Sequence, residues 1–329
     1  MHWFGASFGK QAYAKSIKQR WPILHNKSHS TEPRLLPVAS ILLGASLWGV
    51  IWYPLRQLEA GGFGGVWLTL TLYATAFVAS LPFTWRALPE FTHRPWLLLL
   101  LMLAAGWTNI AFVEAVLHGN VLRVLLLFYL SPLWAVIMGR IVLREQLSHR
   151  ALISLLIAMG GALVMLWDRQ IGVPWPRDAA DWFALSAGFA FALSNVLVRK
   201  MDDISIQMKS VSVWGGVVLV ALVMIPLLQI ETPRLAQGIF AGAVALGLFG
   251  ILVMTVLVQY GVTHLPVHRS AVLALIELVA GALSQQLLTD EIVSLREWAG
   301  GALILVGAYL SARAATNELP AAPRRIASG

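Results

Sequence analysis

The sequence predicts an all-α, polytopic membrane protein with ten transmembrane helices arranged as two inverted five-helix repeats. Three observations support this fold class. Hydrophobic residues make up 58% of the 329 residues and charged residues only 12%, which is typical of membrane proteins. Ten apolar runs are each long enough to cross a hydrocarbon core of about 30 Å. The fourth and fifth runs recur later in the chain, and such repeats decide an architecture.

The predicted spans are separated by short connections that carry proline, glycine and charge. They lie at 36–55, 65–85, 95–117, 120–139, 150–167, 180–199, 209–229, 236–260, 267–288 and 297–313. The chain is thus divided into a basic N-terminal tail, two repeats and a C-terminal tail, at 1–35, 36–168, 179–313 and 314–329. The N-terminal tail lacks the apolar core of a secretory signal. It is predicted to be disordered, with a short interfacial helix as the alternative.

The repeat is visible as residue identities at a constant offset. A shift of 146 residues places Val121 on Val267, Arg123 on Arg269 and Glu145 on Glu291. Five spans per repeat is an odd number, so the second repeat must enter the membrane from the opposite side. Inverted repeats of this kind are typical of secondary transporters, whose substrate site lies near the midplane where the halves meet.

Lys and Arg are unevenly distributed between the two sides of the membrane that alternating spans define. If the N-terminus is placed in the cytoplasm, 18 of the 24 Lys and Arg residues fall on the cytoplasmic side. Because cytoplasmic loops are enriched in these residues, both termini are predicted to be cytoplasmic. The net charge of +8 therefore indicates topology and attraction to anionic lipid head groups, and no nucleic-acid binding is predicted.

The fourth and fifth spans carry motifs of a known transporter family. They read FYLSPLWAV, then REQLS, then GGALVM, and the chain from about 38 to 313 resembles the ten-helix EamA-domain permeases of the drug/metabolite transporter superfamily. Pro132 and Glu145 fit the family pattern. Arg144 replaces a usual glycine, and Leu278 stands where proline is expected, so a kink in span 9 stays open. The resemblance implies a multi-pass permease of the bacterial inner membrane that exports amino acids or other small metabolites.

Glu277 is the ionisable residue predicted to lie deepest in the membrane. It follows Val267 by ten residues, which is about 15 Å of helix and half of a hydrocarbon core of about 30 Å. Its helical face carries small and polar residues, which are Ser270, Ala274, Gly281 and Ser284. A carboxyl group at this depth is a functional hypothesis. Two roles stay open: a proton carrier or ligand of a substrate amine, and a structural hydrogen bond to a neighbouring helix.

Aromatic and amide side chains on other spans are predicted to complete the substrate site. Trp48 and Trp52 in span 1 and Tyr129 in span 4 are candidates because aromatic rings stack on planar or apolar ligands. Asn195 in span 6 and Asn109 in span 3 are uncharged hydrogen-bonding groups at membrane depth. Substrate contact and interhelical hydrogen bonding are equally open for these two amides.

Charged residues near the span ends are predicted to lie at the mouths of the cavity. Arg123 and Arg269 begin spans 4 and 9, where a cation opposes the helix dipole. Either lipid phosphate or an anionic or zwitterionic substrate would favour their charge. Glu114 lies near the outer end of span 3, and its alternatives are snorkelling to the surface and a place in the cavity rim. Glu145 and Glu291 are expected to cap helices or turns.

Several kinds of site are not predicted. The chain has no cysteine, so disulfides and thiolate metal sites are excluded. His264 and His268 have metal-ligand spacing, but Pro266 lies between them and no third ligand is near in sequence. The glycine-rich stretch 61–65 lacks the ending of a phosphate-binding loop. No metal, ATP or other cofactor is therefore predicted.

These observations together predict a secondary transporter and not an enzyme. The two halves would open a midplane cavity alternately to each side of the membrane and so export a small metabolite such as an amino acid. The expected partners are this substrate, protons and membrane lipids, while monomer and homodimer both stay open. The alternatives are a passive facilitator or channel and, less favoured, a membrane-embedded enzyme acting on lipid-linked substrates.

Overall fold

The computed structural model describes residues 35–167, 175–233, 236–290 and 292–317, and all regular structure within them is helical. Ten membrane helices, numbered α1 to α10 in chain order, correspond within these ranges to the ten predicted spans. Most of the predicted N-terminal tail, the end of the C-terminal tail and Glu291 lie outside the described residues.

The helices of the first repeat are α1 (Leu35–Val50 and Trp52–Ala60), α2 (Gly65–Thr84), α3 (Pro95–His118), α4 (Val121–Phe128 and Ser131–Val142) and α5 (His149–Leu166). Those of the second repeat are α6 (Ala179–Lys200), α7 (Ile206–Leu227), α8 (Gln237–Leu246 and Leu252–His264, joined by the π-helical turn Gly247–Ile251), α9 (Val267–Ala274 and Ile276–Leu288) and α10 (Leu295–Asn317). Within the described ranges, α1 to α9 are long and apolar enough to cross a membrane. The predicted all-α polytopic fold class is therefore confirmed.

Five helices begin at a side-chain cap that the sequence supplies. At α10, Ser294 Oγ accepts from the Glu297 N–H over 3.3 Å, and the other four caps are at α4 to α7. Asn120, Ser148, Asp178 and Ser205 precede α4, α5, α6 and α7, and each side-chain oxygen accepts a hydrogen bond from the backbone N–H three residues later. These residue types are favoured at helix starts because they satisfy N–H groups that the first turn leaves unpaired. The caps therefore define where these spans begin.

The packing of the helices follows the inverted repeat. α3 packs against α6, and its counterpart α8 packs against α1. α4 packs against α6, as α9 packs against α1, while α5 packs against α10 and α2 against α7. These contacts come in pairs in which the two repeats exchange roles. A pseudo-two-fold axis in the membrane plane produces this arrangement.

Glycine residues allow α5 and α10 to approach each other closely. A Cβ atom on Gly161 would lie 2.6 Å from the Gly300 carbonyl oxygen, and one on Gly300 would lie 2.6 Å from the Gly161 carbonyl oxygen. Close backbone packing through small residues stabilises helix pairs in lipid, where the hydrophobic effect does not. The α5–α10 pair packs against both α4 and α9 and so supports the helices that carry the candidate site.

Helix α4 is broken in its middle, as a proline predicts. Its first segment ends at Phe128 and its second begins at Ser131, with Pro132 in the first turn of that second segment. Proline is tolerated there because the N–H groups of a first turn have no partner within the helix. Tyr129 and Leu130 form the turn between the two segments, and the Leu130 N–H donates to the Leu127 carbonyl oxygen over 3.3 Å.

Helix α9 is broken at the equivalent position without a proline. Leu275, which the repeat aligns with Tyr129, separates its two segments, and the Leu278 N–H donates to the Leu275 carbonyl oxygen over 3.1 Å. Next to this break, Gly49 of α1 lets the two backbones meet, since a Cβ atom there would collide with the Glu277 carbonyl oxygen. An interruption of α9 is therefore present at Leu275, and it does not require proline.

Candidate functional site

A small cavity lies where the two broken helices meet α6. Its volume is about 20 Å³, and one water molecule needs roughly 10–15 Å³ on the same measure. Its wall includes Phe128, Tyr129, Pro132, Phe191, Asn195 and Glu277. In this structure the cavity thus has room for about one water molecule.

Glu277 supplies the acidic group of the cavity. It belongs to the first turn of the second α9 segment and is partly exposed. Tyr129, whose phenol is neutral, lines the same cavity. Among the ion pairs of the described residues, none includes Glu277. A carboxyl group with access to a cavity can accept a proton or bind an amine.

Asn195 supplies an amide on the α6 wall. It is partly exposed and lines the cavity, and its side chain forms no hydrogen bond with any residue that the structure describes. The neighbouring Ser194 hydroxyl, by contrast, donates to the Ala190 carbonyl oxygen of its own helix over 3.0 Å. Because an amide both donates and accepts, Asn195 offers a ligand both kinds of hydrogen bond.

Three aromatic rings form one side of the cavity. The ring centroids of Phe128 and Tyr129 are 5.4 Å apart, and those of Phe128 and Phe191 are 5.6 Å apart. Sequence analysis identified Tyr129 and missed both phenylalanines. A signal for them exists, because Phe128 adjoins Tyr129 and Phe191 precedes Asn195 by four residues, about one helical turn on the same face.

The structure does not bring Trp48 and Trp52 to this cavity. The Trp52 indole Nε1 donates to Ser284 Oγ over 2.8 Å, and the Arg56 guanidinium lies 5.2 Å from the ring centroid. Trp48 packs against an apolar cluster that includes Trp214. The reason is that α1 packs against α8 and α9, so these indoles take part in helix packing while α4 and α6 line the cavity.

Asn109 is also engaged elsewhere. The Tyr73 hydroxyl donates to Asn109 Oδ1 over 2.6 Å, and Asn109 Nδ2 donates to the Ala105 carbonyl oxygen over 2.9 Å. These bonds join α2 to α3 and use the hydrogen-bonding groups of the amide. Of the two alternatives open for Asn109, the structure favours interhelical bonding.

Arg123 pairs with a carboxylate that sequence analysis missed. Its Nε lies 2.6 Å from Asp181 Oδ2, and the side chains are only 8% and 2% exposed. Arg123 also donates to the Trp175 carbonyl oxygen, and Asp181 accepts from the Arg177 N–H over 2.9 Å. The expectation that Arg123 meets lipid phosphate or substrate is therefore corrected, because a buried ion pair between α4 and α6 accounts for its charge.

The two other rim candidates are buried as well. Glu114 is 8% exposed, and its carboxylate lies 3.6 Å from His118 Nδ1 one turn later. Arg269 is 6% exposed. The structure thus does not present either side chain as an exposed charge at a cavity mouth, because neighbouring helices cover both.

Glu145 caps a helix of the other repeat. One of its oxygens, Oε2, accepts from the Val267 N–H at the start of α9 over 2.9 Å and lies 3.6 Å from His268 Nδ1. Arg199 Nε lies 3.4 Å from its Oε1. Burial raises the pKa of Glu145, but the hydrogen bonds from His268 and Val267 and the charge of Arg199 outweigh it, so the pKa is lowered. We call this arrangement of Glu145, Arg199, Val267 and His268 the Glu145 junction.

Comparison with known proteins shows the family of this chain. The profile of the EamA-like transporter family matches residues 35–167 and 178–313. The chain belongs to this family. Two matches in succession cover most of the protein, so each predicted repeat contains one EamA unit, and this EamA-like protein is a multi-pass membrane transporter.

Two known proteins are similar to this EamA-like chain, one in sequence and one in structure. A protein of Archaeoglobus fulgidus described as an uncharacterized transporter is 25% identical over 281 residues, which cover 84% of this chain and 96% of that protein. A protein of known crystal structure matches with a TM-score of 0.72 at 16% identity, covering 87% of this chain and 99% of the other. This chain is thus similar in sequence to the first protein over nearly the full length of that protein. Its similarity to the second protein shows the fold.

Proposed function

We propose that this EamA-like protein is a secondary transporter that binds a small metabolite in the Glu277 cavity and exposes it alternately to the two sides of a bacterial inner membrane. The observation that carries this proposal is the meeting of both repeats at one cavity. Tyr129 comes from the first repeat, and Asn195 and Glu277 come from the second. Polar groups beside broken helices at the interface of inverted repeats are the usual composition of a transporter site.

The substrate is proposed to be an amino acid or a related amine. The cavity wall carries one carboxyl group, one phenol and one amide, and its lining includes neither Lys nor Arg. A carboxylate attracts an amine through a charge-assisted hydrogen bond, and the rings of Phe128 and Phe191 suit an apolar part of the ligand. Glu277 would hold the amine, and Asn195 would bond the polar remainder.

The transport cycle is proposed to exchange the substrate for a proton at Glu277. Export follows if the substrate leaves while protons enter down their gradient. With both termini in the cytoplasm, as the Lys and Arg distribution favours, the Glu145 junction faces the cytoplasm and the Arg123–Asp181 pair lies on the outer side. No enzymatic step is needed, because binding and release alone perform this function.

Reconstitution into liposomes tests the proposal. Flux of a panel of labelled amino acids and small amines is measured with and without a pH gradient, for the wild type, Glu277→Gln and the control Glu114→Gln. Glu114 is buried like a core residue but does not line the cavity. Loss of a hydrogen bond to a charged group costs about 1.5–3 kcal/mol, so Glu277→Gln should weaken substrate binding roughly tenfold or more, whereas Glu114→Gln should transport normally.

Each outcome bears on a different part of the proposal. Flux that ignores the pH gradient would indicate a passive facilitator. Unchanged transport and unchanged pH dependence in Glu277→Gln would remove Glu277 as the carrier. No flux of any compound, from protein that is folded in the liposomes, would contradict transport of these substrates.

A further inference from the structure

A single carboxylate links both repeats at one end of the bundle. Glu145 lies in the connection between α4 and α5 of the first repeat, and its two oxygens contact the end of α6 and the start of α9 in the second. The side chains of Glu145, Arg199 and His268 are 17%, 31% and 11% exposed. The Glu145 junction is thus a largely buried contact among three elements.

The junction lies directly beneath the cavity. Arg199 follows the cavity residue Asn195 by four positions, and Val267 precedes the cavity residue Ala271 by four, about 6 Å along each helix. A second void beside Glu145 has a volume of only about 10 Å³, which is at the lower limit for one water molecule. Neither of these two voids has room for a molecule much larger than water.

Close packing of α4 on α9 completes the seal. Gly139 lies against Val267, since a Cβ atom at Gly139 would collide with the Val267 side chain. The first segment of α9 packs against the second segment of α4 and also touches α6. Movement of α9 away from α4 at this end would consequently have to break the contacts of Glu145 first.

The opposite end of the bundle is joined differently. The first segment of α4 packs mainly against α6, whereas the second segment of α9 packs mainly against α1 and α10. The Arg123–Asp181 pair joins α4 to α6 and does not involve α9. The ion pairs and charge-assisted hydrogen bonds among the described residues thus join α6 and α9 to the α4–α5 connection at the Glu145 junction, whereas at the other end an ion pair joins α4 to α6 and the contact between α4 and α9 is apolar.

We propose that the Glu145 junction is a latch that closes the substrate pathway at its own end and opens when α9 moves away from α4 and α6. This proposal rests on the proposed transport function and adds the residue that controls access to the site. Opening would expose Arg199, Glu145 and the start of α9 to water, which solvates the separated charges. The closed and open arrangements are therefore two discrete packings, as alternating access requires.

Cysteine accessibility tests the latch without a substrate. The chain has no native cysteine, so Ala271→Cys in the cavity wall provides one reporter. Membrane vesicles are treated with a membrane-impermeant thiol reagent on the Glu145 side, and the labelling rate is compared with and without Glu145→Gln or Glu145→Ala. Thr92→Cys, in the exposed α2–α3 connection at the same end, verifies that the reagent has access to that side.

The expected order of labelling rates follows the contacts removed. Glu145→Ala removes the charge and the acceptor for the Val267 N–H, and it should label at least roughly tenfold faster than the wild type, a change of about 1.4 kcal/mol in the closing equilibrium. Glu145→Gln keeps an acceptor for the Val267 N–H, so its labelling rate should lie between those of the wild type and Glu145→Ala. Asp203→Asn breaks the exposed Arg94–Asp203 pair at the same end, which does not involve α9, and should match the wild type.

The remaining outcomes decide the proposal. If Glu145→Ala does not fold, Arg199→Gln removes the α6 contact and should also increase labelling. Equal rates in the wild type and the folded Glu145 or Arg199 variants, or an equal increase in Asp203→Asn, would overturn the latch. Because labelling needs no transported compound, this result is independent of the flux assay on Glu277, and either proposal can fail alone.

Discussion

Buried ionisable residues of this protein are stabilised in different ways, and the difference indicates what each one does. Arg123 and Asp181 form a buried ion pair with further hydrogen bonds to backbone groups. Glu145 takes its partners from two helices of the other repeat, α6 and α9. Glu277 lines the cavity together with the neutral phenol of Tyr129. A fully paired charge holds helices together, whereas a carboxyl group facing a cavity is available for a ligand.

The first prediction concerns the Arg123–Asp181 pair. Asp181→Asn leaves the Arg123 guanidinium buried without its counter-charge, and breaking a buried pair in this way costs about 3–5 kcal/mol. We expect a clear fall in the thermal unfolding midpoint of the purified protein in detergent. The matched control is Asp203→Asn, since the side chains of the Arg94–Asp203 pair are 51% and 43% exposed and such pairs contribute little. Equal midpoints for the two variants would contradict a structural role for Asp181.

At the scale of helices, the two breaks are equivalent in position but differ in cause. α4 breaks beside Pro132, while α9 breaks at Leu275 with Leu278 in the place of proline. The two broken helices, α4 and α9, are equivalent helices of the two repeats. The persistence of the α9 break without proline shows that contacts with neighbouring helices maintain it, because leucine by itself favours an unbroken helix.

The second prediction follows from this comparison. Leu278 is in the first turn of the second α9 segment, so Leu278→Pro would lose only the hydrogen bond from the Leu278 N–H to the Leu275 carbonyl oxygen and should still give folded protein. Leu283→Pro lies in the interior of the same segment and should cost about 3 kcal/mol or more. Yield of monodisperse protein and its thermal midpoint measure both effects. If the two variants were equally damaged, the break at Leu275 would not be a permanent feature of the fold.

At the scale of the whole molecule, the inverted repeat makes the two ends of the bundle equivalent in helix order but different in chemistry. One end has the Glu145 junction among α4, α6 and α9, and the other has the Arg123–Asp181 pair between α4 and α6. This asymmetry gives the transporter one end that is closed in the present structure. The orientation in which the whole chain inserts into the membrane determines which end faces the cytoplasm.

The third prediction tests that orientation. Thr92→Cys and Glu231→Cys place reporters in exposed connections at opposite ends of the bundle. If both termini are cytoplasmic, an impermeant thiol reagent added to intact cells should label Glu231→Cys and not Thr92→Cys, and permeabilised cells should show both. The reverse pattern would place the Glu145 junction outside, and labelling of both reporters in intact cells would indicate mixed orientation.

Much of this protein could be predicted from the sequence because the relevant signals are local or repeat along the chain. Apolar length predicts the spans, and the offset of 146 residues predicts the inverted architecture. Glu277, Tyr129 and Asn195 were candidates from residue type and depth, and the structure brings them to one cavity, although their role in binding stays a prediction. Phe128 and Phe191 were missed because apolar rings on apolar helices carry no distinctive signal.

The sequence by itself determined the membrane fold, the repeat and the depth of the candidate groups, since these depend on hydrophobicity and spacing along one chain. Only the tertiary structure decided which helix faces meet. It turned Trp52 towards Ser284, engaged Asn109 with Tyr73 and paired Arg123 with Asp181. The physical reason is that a side chain on a membrane helix satisfies its polar group with whatever neighbour packs against it, and that neighbour can lie more than 200 residues away along the chain.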